Sequence, residues 1–233
     1  LTAITMANLC IIPARGGSKR IPRKNIKDFL GKPIIAYSIA AALDSGLFDE
    51  VMVSTDDEEI AEIALNQGAK VPFLRSTETS NDYATTYQVL EEVLLEYEKI
   101  GSLFDYVCCI YPCAPFVNGE KLKLAFDTMI KGEFDSLFPT VGFGFPIQRA
   151  LKLDNQKISF FYPEYALSRS QDLEKSYHDA GQFYWAKVSS LLDQKSLITN
   201  NTGSIVFSEL EVQDIDNETD WTLAELKYKM FCK

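Results

Sequence analysis

At 233 residues and 46% hydrophobic side chains, the chain is long enough to bury a substantial core in one domain, and its 12 glycines and 9 prolines mark no low-complexity tract. A formal net charge of −10 argues against nucleic acid, whose phosphate backbone needs a broad basic face, and favours a small anionic ligand. No apolar run approaches the roughly 18 residues that a bilayer-spanning helix needs. The five cysteines, at 10, 108, 109, 113 and 232, are odd in number and three lie in or beside apolar, strand-like segments, so they read as reduced core thiols of a cytoplasmic protein. Cys109-x-x-x-Cys113 has no partner pair and the only histidine, His178, is distant, which argues against zinc. Residues 1–6 lack the basic and apolar regions of a signal peptide and read as a remnant ahead of a native start near Met6.

An apolar run from Leu9 to Ala14 reads as a buried strand, and it passes into a loop where five basic side chains and two adjacent glycines fall within the ten residues from Arg15 to Lys24. No acidic residue follows until Asp28. Gly16 and Gly17 let backbone N–H groups turn toward an anion without a Cβ in the way, while Arg15 offers a planar fork and Lys24 a point charge. Ligands of open α/β sheets sit at the carboxyl ends of the strands, so the loop reads as a polyphosphate cradle rather than a solvated basic turn. It is neither a P-loop nor a dinucleotide fingerprint, because G-x-x-x-x-G-K-[ST] and G-x-G-x-x-G are both absent.

Asp28 to Pro33 is turn chemistry with a proline at a helix start, and apolar residues from Ile34 to Leu43 keep helical spacing until Gly46. Glu50–Ser54 is a second strand, and Thr55-Asp56-Asp57-Glu58 supplies a cap and an acidic first turn for a helix to about Gln67. Asp56 and Asp57 suit capping foremost, and a place near a nucleotide or metal second. Strand, helix, strand, helix at this spacing predicts an α/β fold with a parallel sheet and right-handed crossovers. After the extended Val71–Arg75, a hydroxyl-rich stretch from Ser76 to Thr86 either links elements or faces a base and ribose, with Asp82 or Thr85 capping a helix to about Ile100. Asp105–Phe116 is a central strand broken by prolines, Asn118 caps a helix to Lys131, and Asp135–Pro139 is the next strand.

From Thr140 to about Tyr184 the alternation breaks down, and clustered aromatics and glycines suit a protruding β-arm that packs on a partner subunit. Within it His178 suits a structural hydrogen bond better than a catalytic base. A short helix near Ser189–Leu192, a glycine turn, and a strand at Ile205–Phe207 follow. Asp214 and Asp216, two apart on an extended segment, point to one face, a spacing suited to one hard cation. Asp216 also stands where a cap for the final helix, Glu218–Phe231, is needed.

The stretch Pro13-Ala14-Arg15-Gly16-Gly17-Ser18 through Lys24-Asn25 resembles the signature of the CMP-sugar synthetases, the cytidylyltransferases that activate nonulosonic acids such as sialic and pseudaminic acid with CTP. The resemblance implies a Rossmann-like, mostly parallel sheet with helices on both faces, of the nucleotide-diphospho-sugar transferase type. Residues 1–139 and 185–233 would form the nucleotide-binding domain and 140–184 an inserted dimerisation arm that completes the neighbouring active site. Carried over residue by residue, Arg15 and Lys24 are catalytic, and Pro13, Ala14, Gly16, Gly17, Ser18, Asn25, Arg75, Ala84, Thr85 and Thr86 bind CTP. Asp214-Ile215-Asp216 is similar to the family's magnesium motif.

The chain departs from the family pattern Leu-Gln-Pro-Thr-Ser-Pro-Leu-Arg around its central strand. Tyr111 replaces a ligand-contacting glutamine, Cys113 a threonine, and Val117 stands where arginine is common, which suggests a different sugar. Arg169 to Trp185 looks like the pseudaminic acid branch, with Asp179-Ala180-Gly181 where the sialic acid branch carries Pro-Asn-Gly. Arg169 would clamp the sugar carboxylate bidentately, and Tyr111, Gln182 and Tyr184 would complete the sugar site. The implied protein is a cytoplasmic homodimer that joins CTP and a nine-carbon keto-acid sugar with Mg²⁺. Alternatives are a sialic, legionaminic or Kdo synthetase, or a non-catalytic nucleotide-binding protein on the same fold.

Overall fold

The computed structural model describes residues 6–231; Cys232 and residues 1–5 of the expected N-terminal remnant lie outside them. The chain opens with β1 (Asn8–Pro13) and passes through the cationic loop to a ribbon of β2 (Asp28–Phe29) and β3 (Lys32–Pro33). It continues through α1 (Ile35–Ser45), β4 (Glu50–Ser54), α2 (Glu58–Asn66), the single turn α3 (Thr77–Ser80), α4 (Thr86–Lys99), β5 (Tyr106–Ile110) and α5 (Gly119–Lys131). β6 (Ser136–Gly142) leads into the hairpin of β7 (Leu151–Asp154) and β8 (Lys157–Phe160). The return runs through β9 (Tyr177–Asp179), β10 (Phe183–Lys187), α6 (Val188–Gln194), β11 (Thr202–Phe207) and α7 (Glu218–Phe231). No helix among the described residues is long and apolar enough to cross a membrane.

The main sheet has the order β11-β6-β10-β5-β1-β4, with β9 also paired to β6. β4, β1 and β5 are mutually parallel, as are β6 and β11; β10 runs antiparallel between β5 and β6. A strand covered on both faces needs apolar residues at successive positions rather than alternating ones, and β1 buries Asn8 through Ile12 without interruption. Cys10 and Ile12 pack with Ile35, Ile60 and Leu122 of α1, α2 and α5, whereas Leu9 and Ile11 pack with Leu90 and Tyr97 of α4. The three-layer arrangement of helix, sheet and helix follows. Cys10, Cys108, Cys109 and Cys113 are buried free thiols.

Three local expectations shift. Pro33 closes the β2–β3 ribbon rather than opening α1, which begins at Ile35. Gly203 lies inside β11, paired with Leu137, rather than in a turn. The sheet also holds both flanks of the 140–184 segment, since β6 runs to Gly142 and β9 starts at Tyr177. Between Leu137↔Trp185 and Thr140↔Asp179, β6 advances three residues while its partner advances six. The extra residues, Ala180 to Gln182, form a bulge still tied to its neighbours, the Ala180 N–H donating to the Pro139 carbonyl at 3.0 Å and the Gln182 carbonyl accepting from the Tyr111 N–H at 2.8 Å.

Asp57 caps α2, accepting from the Ile60 N–H at 3.0 Å, and takes both guanidinium nitrogens of Arg23. Arg23 holds the Asp57 carboxyl below the usual carboxylate range, and the cap bond adds to the effect. A depressed folded-state pKa means stabilisation that is present at neutral pH and lost as the pH falls through that lowered value. Asp57→Ala should therefore cost about 1–2 kcal/mol in denaturant unfolding at pH 7, and the gap to the wild type should shrink below about pH 4.

Candidate functional site

The cationic loop is held from below. Asn25, 5% exposed, donates from Nδ2 to the Arg15 carbonyl at 2.9 Å and accepts from the Cys113 thiol at 3.4 Å. Burial pushes that thiol up to about 12, so it serves as a packing group and hydrogen-bond donor rather than a nucleophile. The Gly16 N–H donates to Asp56 Oδ1 at 2.9 Å, and a Cβ on Gly16 would lie 2.6 Å from Asp57 Oδ2. Glycine is therefore required for the loop to pack against the β4–α2 turn. Asp56 and Asp57 thus shape the loop from behind rather than join a nucleotide or metal shell.

The C-terminal acidic pair reaches the same place. Lys24 Nζ donates to the Ile215 carbonyl at 2.6 Å, and Arg20 pairs with Asp216 at 2.7 Å. Asn217 rather than Asp216 caps the final helix, accepting from Thr219 and Asp220 N–H at 2.9 and 3.1 Å, which leaves the Asp216 carboxylate to face the loop. Burial and the neighbouring Asp216 carboxylate raise the Asp214 pKa, against the pull of Lys24. Two carboxylates that repel each other beside a phosphate-type loop form a donor set that fits a hard cation. No cluster of three or more His, Cys, Asp or Glu side chains among the described residues could hold a metal, so the pair needs ligand oxygens to complete a shell.

Two cavities meet here. One, of about 390 Å³, is lined by Pro13, Arg15, Ser18, Lys24, Asn25, Tyr111, Asp214 and Asp216, with Lys19, Arg20, Ile21, Pro112, Cys113, Gly181 and Ile215. The other, of about 240 Å³, is lined by Arg75, Ala84 and Thr86, and shares Pro13, Arg15 and Tyr111 with the first. Both open at the carboxyl ends of β1 and β5. Arg75, 8% exposed, donates to the Ser54 hydroxyl at 3.0 Å and to its carbonyl, and burial lowers its pKa. Ala14 is fully buried, and Thr85 forms a capping box with Gln88 at the start of α4. Of the expected nucleotide residues, Ala14, Gly16, Gly17 and Thr85 therefore build the walls rather than line the cavities.

The expected sugar residues divide. Tyr111 forms the shared wall, its hydroxyl 3.5 Å from Thr86 Oγ1. Tyr184 is buried behind it, ring centroids 5.2 Å apart, and donates to Asp179 Oδ2 at 2.7 Å, so it supports the wall without reaching the cavity. Gln182 is fully buried and donates to the Glu211 carbonyl at 3.3 Å, because the sheet bulge turns it inward. Arg169 lies on the arm, exposed, its guanidinium bound to Asp172 at 2.6 and 3.1 Å; it does not line its own chain's cavities. His178 bonds to the Asp179 carbonyl at 2.8 Å and packs at a tilt on Phe143, ring centroids 4.9 Å apart, the structural role expected of it. Sequence reasoning missed Gly181 and Cys113 as lining residues, and of its two candidate caps for α4, Asp82 or Thr85, Thr85 takes the duty. Asp82 instead pairs with Arg15 at 2.7 Å and with Lys19, which together hold its carboxyl below the usual range.

The sequence profile described as Cytidylyltransferase matches residues 9–182. A pseudaminic acid cytidylyltransferase of Campylobacter jejuni subsp. jejuni serotype O:2 is 46% identical over 226 residues, 97% of each chain. A CMP-N,N'-diacetyllegionaminic acid synthase of Legionella pneumophila is 32% identical over 94% of this chain and 95% of its own. Among solved structures, a CMP:2-keto-3-deoxy-manno-octonic acid synthetase complexed with CTP superposes with a TM-score of 0.70, covering 96% of this chain and 98% of its own at 17% identity, a likeness of fold. On a profile that spans most of the sequence, with relatives matching over nearly full length, the chain belongs to the cytidylyltransferase family.

Proposed function

We propose that this chain joins CTP and pseudaminic acid, or a close nine-carbon keto acid, to give the CMP-sugar and pyrophosphate. The observation that carries the reading is the meeting of Arg15 and Lys24 with Asp214 and Asp216 around one cavity, residues some two hundred positions apart in sequence. The 46% identity to the Campylobacter relative favours pseudaminic acid over legionaminic acid, whose synthase is 32% identical. The second cavity, with Arg75, Ala84 and Thr86, would take the cytosine and ribose.

The sugar's anomeric hydroxyl would attack the α-phosphorus in line. A phosphorus–oxygen bond to the sugar forms, the α–β anhydride bond breaks, pyrophosphate departs, and the hydroxyl proton passes to water. Arg15 and Lys24 neutralise charge as it moves onto the leaving group, while Ser18, which lines the same cavity, orients the phosphates. Asp214 and Asp216 would hold Mg²⁺, whose chemistry when bound is to neutralise phosphate oxygens and fix their orientation. Asn25 acts by fixing the loop through the Arg15 carbonyl.

The arm supports a homodimer. Leu151, Leu153, Ile158, Phe161 and Leu167 are all at least half exposed on one excursion, Leu167 98% so, and such a patch is covered by a second copy. In that assembly Arg169 would face the sugar site of the partner. A reaction that consumes CTP, and free thiols throughout the core, suit the cytoplasm.

Pyrophosphate release with CTP should be fastest on pseudaminic acid, with kcat/KM at least about tenfold above legionaminic, sialic and Kdo substrates. A faster rate on another sugar replaces the substrate, and CTP binding without turnover on any makes the protein a binding module. Arg15→Ala and Asp216→Ala should each lower kcat by about a hundredfold or more with circular dichroism unchanged, and near-normal rates would remove those roles. Asp214→Asn relieves a buried carboxylate beside a like charge, so it should raise the Tm of the ligand-free protein by about 1–3 °C at neutral pH while turnover is lost.

A further inference from the structure

Arg20 of the loop pairs with Asp216, and the other four cations are held in two ways. Arg23 is clamped by Asp57 and Glu59 against the start of α2, and Lys24 is bound to the Ile215 carbonyl behind the acidic pair. Arg15 and Lys19 instead share one carboxylate, Asp82, which comes from the opposite side of the cleft on the segment before α4. Arg15 lines both cavities, and Asp82 lines the second. Its two oxygens, one to each cation, make the bridging pattern that a phosphate would make.

Asp82 has no duty at the helix start, because Thr85 and Gln88 cap α4. The turn that carries it keeps its shape through other bonds. Asn81 Oδ1 accepts from the Tyr83 and Ala84 N–H groups at 2.8 and 3.1 Å, and Glu92 anchors Ser76 at 2.8 Å. The Arg15 and Asp82 side chains are about a third exposed, at 34% and 37%, and Lys19 is 76% exposed, so both pairs are weak and exchangeable. A carboxylate and a phosphate cannot occupy the same two cations without like-charge repulsion.

We propose that Asp82 is a competing anion for the polyphosphate site. It holds Arg15 and Lys19 at the cleft before nucleotide binds, yields them to the nucleotide, and reclaims them as pyrophosphate leaves. This rests on the cytidylyltransferase reading for the identity of its competitor. Two partly exposed pairs set the scale, so removing the Asp82 charge should tighten anion binding about three- to tenfold.

Calorimetric titration with pyrophosphate and with CTP, at physiological ionic strength where distant charges are screened, tests it. Asp82→Asn and Asp82→Ser should each bind both ligands about three- to tenfold more tightly than the wild type, and pyrophosphate should inhibit turnover at correspondingly lower concentration. Asp82→Glu should return affinity toward the wild type. Glu78→Gln, which removes a charge bound to Thr77 on the same segment, should leave affinity unchanged. Unchanged or weaker pyrophosphate binding by Asp82→Asn overturns the proposal, as does equal tightening by Glu78→Gln, which would make the effect one of general field. A wild type that binds pyrophosphate but not CTP would instead remove the cytidylyl reading, and the pyrophosphate comparison would still decide the role of Asp82.

Discussion

The site depends on the burial of one apolar side chain between two carboxylates. Ile215 is 1% exposed and packs in a cluster with Phe29, Ile34, Phe116 and Trp221, which also receives Tyr37 and Tyr228. The rings meet edge to face, Phe29 against Trp221 at 5.6 Å and against Tyr228 at 5.6 Å, so the cluster has a defined geometry rather than a loose fill. With Ile215 driven inward, residues 214 and 216 have to face the opposite way, and that way lies the cationic loop. The Ile215 carbonyl then takes the Lys24 ammonium. A hydrophobic anchor thus sets the position of a charged centre, and it does so with elements drawn from both ends of the chain.

An anionic protein that collects phosphates has to concentrate its positive charge and keep it from collapsing onto its own carboxylates. Here every cation of the loop meets an acidic group or a carbonyl, but with graded strength. The contacts that determine the loop's path are the more enclosed: Asn25 beneath Arg15, and Asp57 against Gly16. The ion pairs of Arg15, Lys19 and Arg20 at the cavities are open to water and correspondingly weak. The gradation lets the loop be rigid in backbone and exchangeable at its charged tips. Rigidity of that kind is what stabilisation of a developing phosphate charge requires, since donors already in place need no reorganisation during reaction.

The sheet, the cation loop and the acidic pair were legible in the sequence because each is written in adjacent residues: a continuous apolar run for β1, a concentration of Arg, Lys and Gly after it, and Asp-x-Asp before an amphipathic helix. What escaped was set by neighbours far away in the chain. Asp82 carries the ordinary signal of a cap, and only the fold shows that Thr85 takes that duty and that Arg15 stands opposite. Gln182 and Tyr184 fall in a polar-aromatic stretch that suits a binding surface, yet β10 enters the sheet antiparallel between β5 and β6, and both side chains are buried. The family resemblance pointed to segments, most of which the fold brings around the two cavities; it could not say which of their residues form the wall and which support it.

That antiparallel insertion also connects the arm to the site. Because β9 and β10 pair with β6 in registers three residues apart, the intervening Ala180–Gln182 residues form a bulge, and Gly181 adopts φ +63° at its centre. A Cβ there would lie 3.2 Å from Asp214 Cγ, so the absence of a side chain admits the carboxylate to its place. Asp179 secures the bulge from both sides, accepting from the Gly181 N–H at 2.8 Å and from the Tyr184 hydroxyl at 2.7 Å, while Tyr184 backs the Tyr111 wall. The strand returning from the arm thereby touches the two features that distinguish this site, the tyrosine between the cavities and the carboxylate beside Lys24. Any change in how the arm is seated has a short, packed route to both, one that runs through hydrogen bonds and a glycine turn rather than through a mobile loop.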